Sequence, residues 1–223
     1  METIRRAKLK NIMEEHHQWV ESKGREGKQA KLHDLDLHDM DLSGMDLSFV
    51  TMKNINFTNT NLENANLTNS DLIYGDVVNT NFKSANLTNF KLVSVKLENA
   101  SFENATLFNA NFERVDLINI DFDNMNLRSI CCILCITKNV SFRNADLTNA
   151  IFSNSDFSEI DFTGATLEHS LMRETNLSNA KLTNANLANS TLYKVRFKNA
   201  QLQHVNFQYS SLYRTTLSEG ILW

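Results

Sequence analysis

Ala65-Asn66-Leu67-Thr68-Asn69 returns as Ala85-Asn86-Leu87-Thr88-Asn89, as Ala145-Asp146-Leu147-Thr148-Asn149 and as Ala185-Asn186-Leu187-Ala188-Asn189. The central apolar residue keeps its register in both directions, at every fifth position from Leu32 to Leu222. Of these 39 positions 23 are Leu, 11 are Phe, two are Met and one is Val, so that only Cys132 and Thr137 depart from the pattern. A period of five matches neither the 3.6 of a helix nor the 2 of a strand, and the chain must be read as an internal repeat.

The unit is small, Asp or Asn, Leu or Phe, polar, Asn. On these copies the chain resembles the pentapeptide repeat family over residues 30–223. The resemblance implies an all-β solenoid, a right-handed quadrilateral β-helix of about ten coils. In that fold the central residue and the small residue two before it point inward, and four pentapeptides close one square coil. The sequence tests the coil length independently, because stacked coils place like on like at a spacing of 20. Leu47, Leu67, Leu87, Leu107, Leu127, Leu147, Leu167 and Leu187 form one such column, closed by Phe207, and Phe82, Phe102, Phe122, Phe142 and Phe162 form a second. The small partners Ala65, Ala85, Ala105, Ala145, Ala165 and Ala185 are broken only by Met125 and by the end residues Met45 and Val205. The chain has no proline and six glycines, as suits a backbone whose N–H groups bond neighbouring coils. Asn, the commonest residue two after the central one, supplies the corners.

Residues 1–29 stand outside the register and form a first segment, an N-terminal helix and linker before the β-helix of residues 30–223. Ile4, Leu9, Ile12, Met13, His16, Trp19 and Val20 recur at helical spacing, with Gly24 placed as a C-terminal cap. Such a helix would cover the first coil and its β edges. Some family members carry a similar helix with His-x-x-Trp, which here is His16-His17-Gln18-Trp19. Glu14, Glu15 and Glu21 among the basic residues disfavour a membrane-surface helix.

At the other end the sequence closes on Leu222-Trp223 with no helical pattern, and several family members dimerise through their C-terminal coils. The resemblance implies an end-to-end homodimer, with Tyr193, Tyr209, Tyr213, Leu222 and Trp223 as contacts. A second candidate surface is the segment Ile130-Cys131-Cys132-Ile133-Leu134-Cys135-Ile136-Thr137-Lys138. If the coil passes through it unchanged, Cys132, Cys135 and Thr137 point inward, while Cys131, Ile133, Leu134 and Ile136 point out. With Ile73, Tyr74, Val93, Ile151, Leu171, Tyr193 and Tyr213 these make an apolar stripe suited to a protein partner.

Adjacent Cys131 and Cys132 project to opposite sides of a β wall, and no fourth Cys or nearby His has ligand spacing, so no metal is expected. The cysteines read as small structural residues. Reduced thiols and the lack of an apolar leader suit a cytoplasmic protein without membrane contact. No glycine-rich phosphate loop, nucleophile elbow or His–carboxylate set is present, and a convex filled shaft lacks a concave pocket, so neither catalysis nor a cofactor is expected.

Binding remains, and charge constrains it. Residues 30–223 carry 15 basic and 21 acidic residues, a net of −6. Direct nucleic-acid binding is disfavoured. Some family members imitate DNA with an acidic rod and bind type II topoisomerases such as DNA gyrase, conferring quinolone resistance. Asp36, Asp76, Glu98, Asp116, Asp156 and Glu159 form a candidate acidic face of that kind, interrupted by Lys96, Lys138, Arg196 and Lys198. The expectation is a non-enzymatic scaffold for protein binding that self-associates through its C-terminal coils, with topoisomerase binding as the alternative.

Overall fold

The computed structural model describes residues 2–3 and 6–217, with side chains from residue 8 onward. The chain divides into two compact units, Met1–Thr106 and Leu107–Trp223. Each is a quadrilateral β-helix built on parallel pairing between residues 20 apart.

In the first unit, β1 (Glu2–Thr3) and α1 (Arg6–Glu21) precede β2 (Lys31–His33), β3 (Leu35–Asp36), β4 (Thr51–Asn56), β5 (Asp71–Val78) and β6 (Lys91–Glu98). Met52 stands opposite Leu32 and Leu72, and Leu72 opposite Leu92, so like residues stack. In the second unit, β7 (Asn111–Glu113), β9 (Cys131–Ile133), β11 (Ile151–Ser153), β12 (Leu171–Arg173), β13 (Thr191–Tyr193) and β14 (Ser211–Tyr213) form one parallel face. On the next face β8 (Asp116–Asp121) pairs with β10 (Ile136–Ser141). The remaining walls are short bridges between tight turns, among them Asn126 to Asp146 and Thr166 to Asn186.

The five-residue register becomes a filled core. Leu107, Leu127, Leu147, Leu167 and Leu187 are each fully buried in the second unit. Phe122 and Phe142 stack at 4.9 Å, Phe142 and Phe162 at 5.3 Å, close to the strand spacing of about 4.8 Å. Met125, in a slot otherwise held by Ala145, Ala165 and Ala185, is only half-buried. Thr137 also differs from the inward expectation: it is half-buried, and its Oγ1 donates to the Asp156 carbonyl at 3.3 Å. A hydroxyl satisfied at the wall has less to gain from the shaft than the Leu or Phe it replaces.

Every position two after a central residue, from Asp34 to Arg214, has positive φ. The repeat therefore needs Asn for its backbone geometry, since Asn enters the left-handed region at low cost. Its amide also links coils: Asn79 Nδ2 donates to Asn59 Oδ1 at 3.0 Å and Asn99 Nδ2 to Asn79 Oδ1 at 3.0 Å. The Asp or Asn before the central residue caps its own turn, as where the Thr68 N–H donates to Asn66 Oδ1 at 3.1 Å.

The Cys segment keeps the coil, with Cys131 opposite both Asn111 and Ile151 and no inserted residue. Cys132 and Cys135 are fully buried. The Cys135 thiol donates to the Phe112 carbonyl at 3.3 Å. Ser155 and Thr175, one and two coils on, donate in the same way to the carbonyls of Cys132 (3.3 Å) and Phe152 (2.9 Å). Cys135 is thus a sulfur member of a hydroxyl ladder, a role invisible in its spacing. Contact with Cys135 and burial keep the Cys132 thiol protonated, its pKa well above the ordinary value. Cys135→Ser should therefore melt within about 0.5 kcal/mol of the parent, whereas Cys135→Ala, which removes the donor and leaves the Phe112 carbonyl only its backbone partner across the β7–β9 pair, should lose about 1 kcal/mol in urea titration. Equal losses for both would remove the ladder role.

Helix α1 lies on the first unit through Leu9, Met13 and His16, all buried. The Ala30 N–H donates to His16 Nδ1 at 3.1 Å, which makes Nε2 the protonated nitrogen, donating to the Ser48 carbonyl at 2.6 Å. At the helix end Gly24 N–H donates to the Trp19 carbonyl and Lys23 N–H to that of Val20, a Schellman closure. The left-handed cap residue is Lys23 (φ 55°), with Gly24 (φ 83°) following it and not filling the cap position itself. Glu2 and Thr3 pair with Leu35 and Asp36, an addition to the β edge that the helical pattern did not foretell. Ile4 lies outside the described residues. No helix among the described residues is long and apolar enough to cross a membrane.

Candidate functional site

The parallel face of the second unit collects most of the apolar residues that the sequence singles out. Register sets the outer columns: Cys131, Ile151, Leu171, Thr191 and Ser211 along one line, Ile133, Ser153, Arg173, Tyr193 and Tyr213 along another. Leu134, Ile151, Leu171 and Tyr213 are exposed, Ile133 and Tyr193 half-exposed. Tyr193 and Tyr213 stack at 5.6 Å with their rings 15° apart. Arg173 lies 5.5 Å from the Tyr193 ring centre, Lys194 5.2 Å from the same ring, and Arg214 5.3 Å from that of Tyr213. Lys194 Nζ also meets Glu174 at 3.0 Å, and that contact raises the lysine pKa.

These cations were not singled out by the sequence reading, although a signal was present. In the second unit three of the four corner columns are Asn at half or more of their positions: Asn119, Asn139, Asn179 and Asn199 in one, Asn124, Asn144 and Asn184 in the next, Asn109, Asn149 and Asn189 in the third. The fourth reads Arg114, Leu134, Asn154, Glu174, Lys194 and Arg214, all with positive φ. A residue other than Gly, Asn or Asp costs roughly 1–2 kcal/mol in that conformation. One corner column of the second unit thus has a single Asn in six, whereas the other three depart from Asn or Gly only at Ser129, Glu159, His169, His204 and Tyr209.

Other candidates separate. Ile136, 56% exposed, stands round the corner between Asp116 and Asp156 and not beside Ile133 and Leu134. Tyr209, 79% exposed, occupies the corner before β14, in a different corner column from the one beside Tyr193 and Tyr213. Ile73 and Tyr74 belong to β5 of the first unit, where Tyr74 is 52% exposed. Leu222 and Trp223 lie outside the described residues.

The acidic residues hold turns and ladders. Asp36 Oδ1 accepts from Asn56 Nδ2 at 2.8 Å and meets His38 Nδ1 at 2.9 Å; the His38 contact lowers the Asp36 pKa and raises that of His38. Asp156 Oδ1 accepts from Ser158 N–H at 3.1 Å and from Asn176 Nδ2 at 2.8 Å. Glu98 pairs with Lys96, Glu159 sits in a left-handed corner, and Asp76 and Asp116 are strand residues opposite Lys96 and Ile136. Among the described residues no group of three or more His, Cys, Asp or Glu side chains is placed to hold a metal ion.

Comparison with known proteins adds the family. A model of the pentapeptide repeat region matches residues 132–217, and one of pentapeptide repeats in 8 copies matches residues 51–89 and 91–128. No curated protein sequence matches. Among solved structures, HetL, a pentapeptide repeat protein involved in heterocyst differentiation regulation in the cyanobacterium Nostoc sp. strain PCC 7120, is 20% identical with a TM-score of 0.50, over 93% of this chain and 97% of its own. Full-length QnrB1, a plasmid-mediated fluoroquinolone resistance protein, is 16% identical with a TM-score of 0.38, over 82% of this chain and 84% of its own. With family models covering more than half of the sequence and the same solenoid in the structure, the chain belongs to the pentapeptide repeat family.

Proposed function

We propose that this chain is a non-enzymatic β-helical scaffold whose work is protein binding. The observation that carries the reading is the parallel face of the second unit, where Ile151, Leu171, Tyr193 and Tyr213 project from a rigid sheet instead of packing in the core. Aromatic residues on a preorganised surface give contact area at small entropic cost. Self-association through the C-terminal coils is part of the same reading. Leu202, Val205, Phe207, Leu212 and Leu217 are half-buried, whereas Leu182, Ala185, Leu187, Leu192 and Phe197 one coil earlier are buried. Sedimentation equilibrium should find a dimer, and Tyr193→Ser, Tyr213→Ser and Trp223→Ser together should give a folded monomer. A dimer that survives the triple replacement would move the interface toward Ile133 and Leu134.

The DNA-imitating alternative has less support. Asp36 and Asp156 already accept hydrogen bonds that hold the coil, and exposed Ile136 interrupts the acidic column between Asp116 and Asp156.

A further inference from the structure

The exposed face of the second unit has a charge as well as an apolar character. Arg114 is paired with Glu113, and Lys194 with Glu174. Arg173 and Arg214 have no ion-pair partner among the described residues. Each instead lies over a tyrosine, Arg173 on Tyr193 and Arg214 on Tyr213, in a chain whose net charge is −4. A guanidinium resting on a ring keeps its N–H edge turned outward and preordered, the geometry that takes a carboxylate in bidentate fashion. Ile151 and Leu171 continue the same face with exposed hydrocarbon.

We propose that this face docks an acidic protein segment, in which Asp or Glu side chains stand beside large apolar ones. The carboxylates would take the Arg173 and Arg214 guanidiniums, and the apolar side chains would cover Leu171, Ile151 and the tyrosine rings. Charge selects this occupant: the face is positive on a molecule otherwise acidic, so an acidic segment is drawn to it and repelled elsewhere. The corner column of Arg114, Leu134, Asn154, Glu174, Lys194 and Arg214, with one Asn where each of the other corner columns has at least three, borders the same face. The proposal rests on the protein-binding reading above, names the chemistry of the partner, and makes the acidic segment a competitor of the second copy for Tyr193 and Tyr213, so binding is measured at concentrations where the chain is monomeric.

The test is selection of a random dodecapeptide library on the full chain, followed by affinity measurement of the enriched peptides on two variants, Arg173→Glu with Arg214→Glu, and Tyr193→Ser with Tyr213→Ser. All four positions are at the surface, so both proteins should melt as the parent does. Enriched peptides should be rich in Asp or Glu next to Leu, Ile or Phe, should bind at least about tenfold more weakly to either variant, and should weaken further as salt rises. Peptides without acidic enrichment that bind the charge-reversed protein as before but lose the tyrosine variant would overturn the acidic chemistry and leave the protein-binding reading intact. No enrichment, or enrichment unaffected by either variant, would overturn both. Binding of oligothymidylate lost on charge reversal, with no peptide enriched, would assign the face to single-stranded nucleic acid instead.

Discussion

Leu127→Asp is expected to abolish cooperative folding of the Leu107–Trp223 unit. Leu127 is fully buried, and so are Leu107 and Leu147, its counterparts one coil to either side in the same column. Removing the side chain forfeits roughly 2–5 kcal/mol, because stacked coils leave little freedom to collapse onto the gap. The carboxylate adds a larger cost, since the shaft around it offers Leu and Ala and no partner for a charge. The combined loss approaches the whole stability of a domain, about 5–15 kcal/mol. Circular dichroism should show lost β signal or a collapsed melting temperature, and Leu127→Met, which conserves volume, should melt within about 1.5 kcal/mol of the parent. An Asp variant as stable as the parent would mean that the central residue does not face the core.

Replacing His16 by Ala should free the N-terminal helix while leaving the β-helix folded. The imidazole joins α1 to two separate stretches of backbone, Ala30 N–H and Ser48 carbonyl, and both would be left without a partner in a buried place. Each such group costs about 1–3 kcal/mol, and the stacking of His16 on Trp19 at 5.8 Å is lost as well. The apolar anchors that remain, Leu9 and Met13, contribute about 1.5–3 kcal/mol each, so the imidazole carries roughly half of the helix interface. Hydrogen exchange should show protection lost across Arg6–Glu21, with Leu67 and Leu87 of the same unit unchanged. His17, whose side chain meets Glu21 at 3.0 Å in the open, provides the contrast: His17→Ala should alter exchange little. Full protection in the His16 variant would show that apolar packing alone holds the helix.

The two residues illustrate how differently sequence and structure contribute. Leu127 was assignable from spacing, because a five-residue period with a 20-residue echo leaves one way to bury Leu and Phe together. His16 was visible only as a helical-phase residue. Its neighbours, Ala30 and Ser48, are 14 and 32 residues away, and nothing in a periodic pattern states which backbone groups lack partners. The cysteines divide in the same way. Their register followed from the uninterrupted columns, but the donation from Cys135 to Phe112 depends on a carbonyl in the preceding coil.

The candidate surface was legible as a stripe and not as a site. Outward positions of one wall are separated by 20 residues, so Ile133, Ile151, Leu171, Tyr193 and Tyr213 could be grouped before any coordinates. Ile136 points outward as expected but on the neighbouring wall, because it sits just past the Leu134 corner, where a shift of one or two residues changes the wall that a side chain faces. Periodicity carried the coil length and the stacked columns of the core, because the hydrophobic effect acts on every copy alike, and the resemblance of the repeat to a known family carried the solenoid and its inward and corner positions. Only the tertiary structure decided the His16 junction, the β1 pairing, the thiol and hydroxyl ladder, and the seating of Arg173 and Arg214 on their tyrosines. These depend on single contacts between non-equivalent residues, whose distances and directions a repeat pattern does not encode.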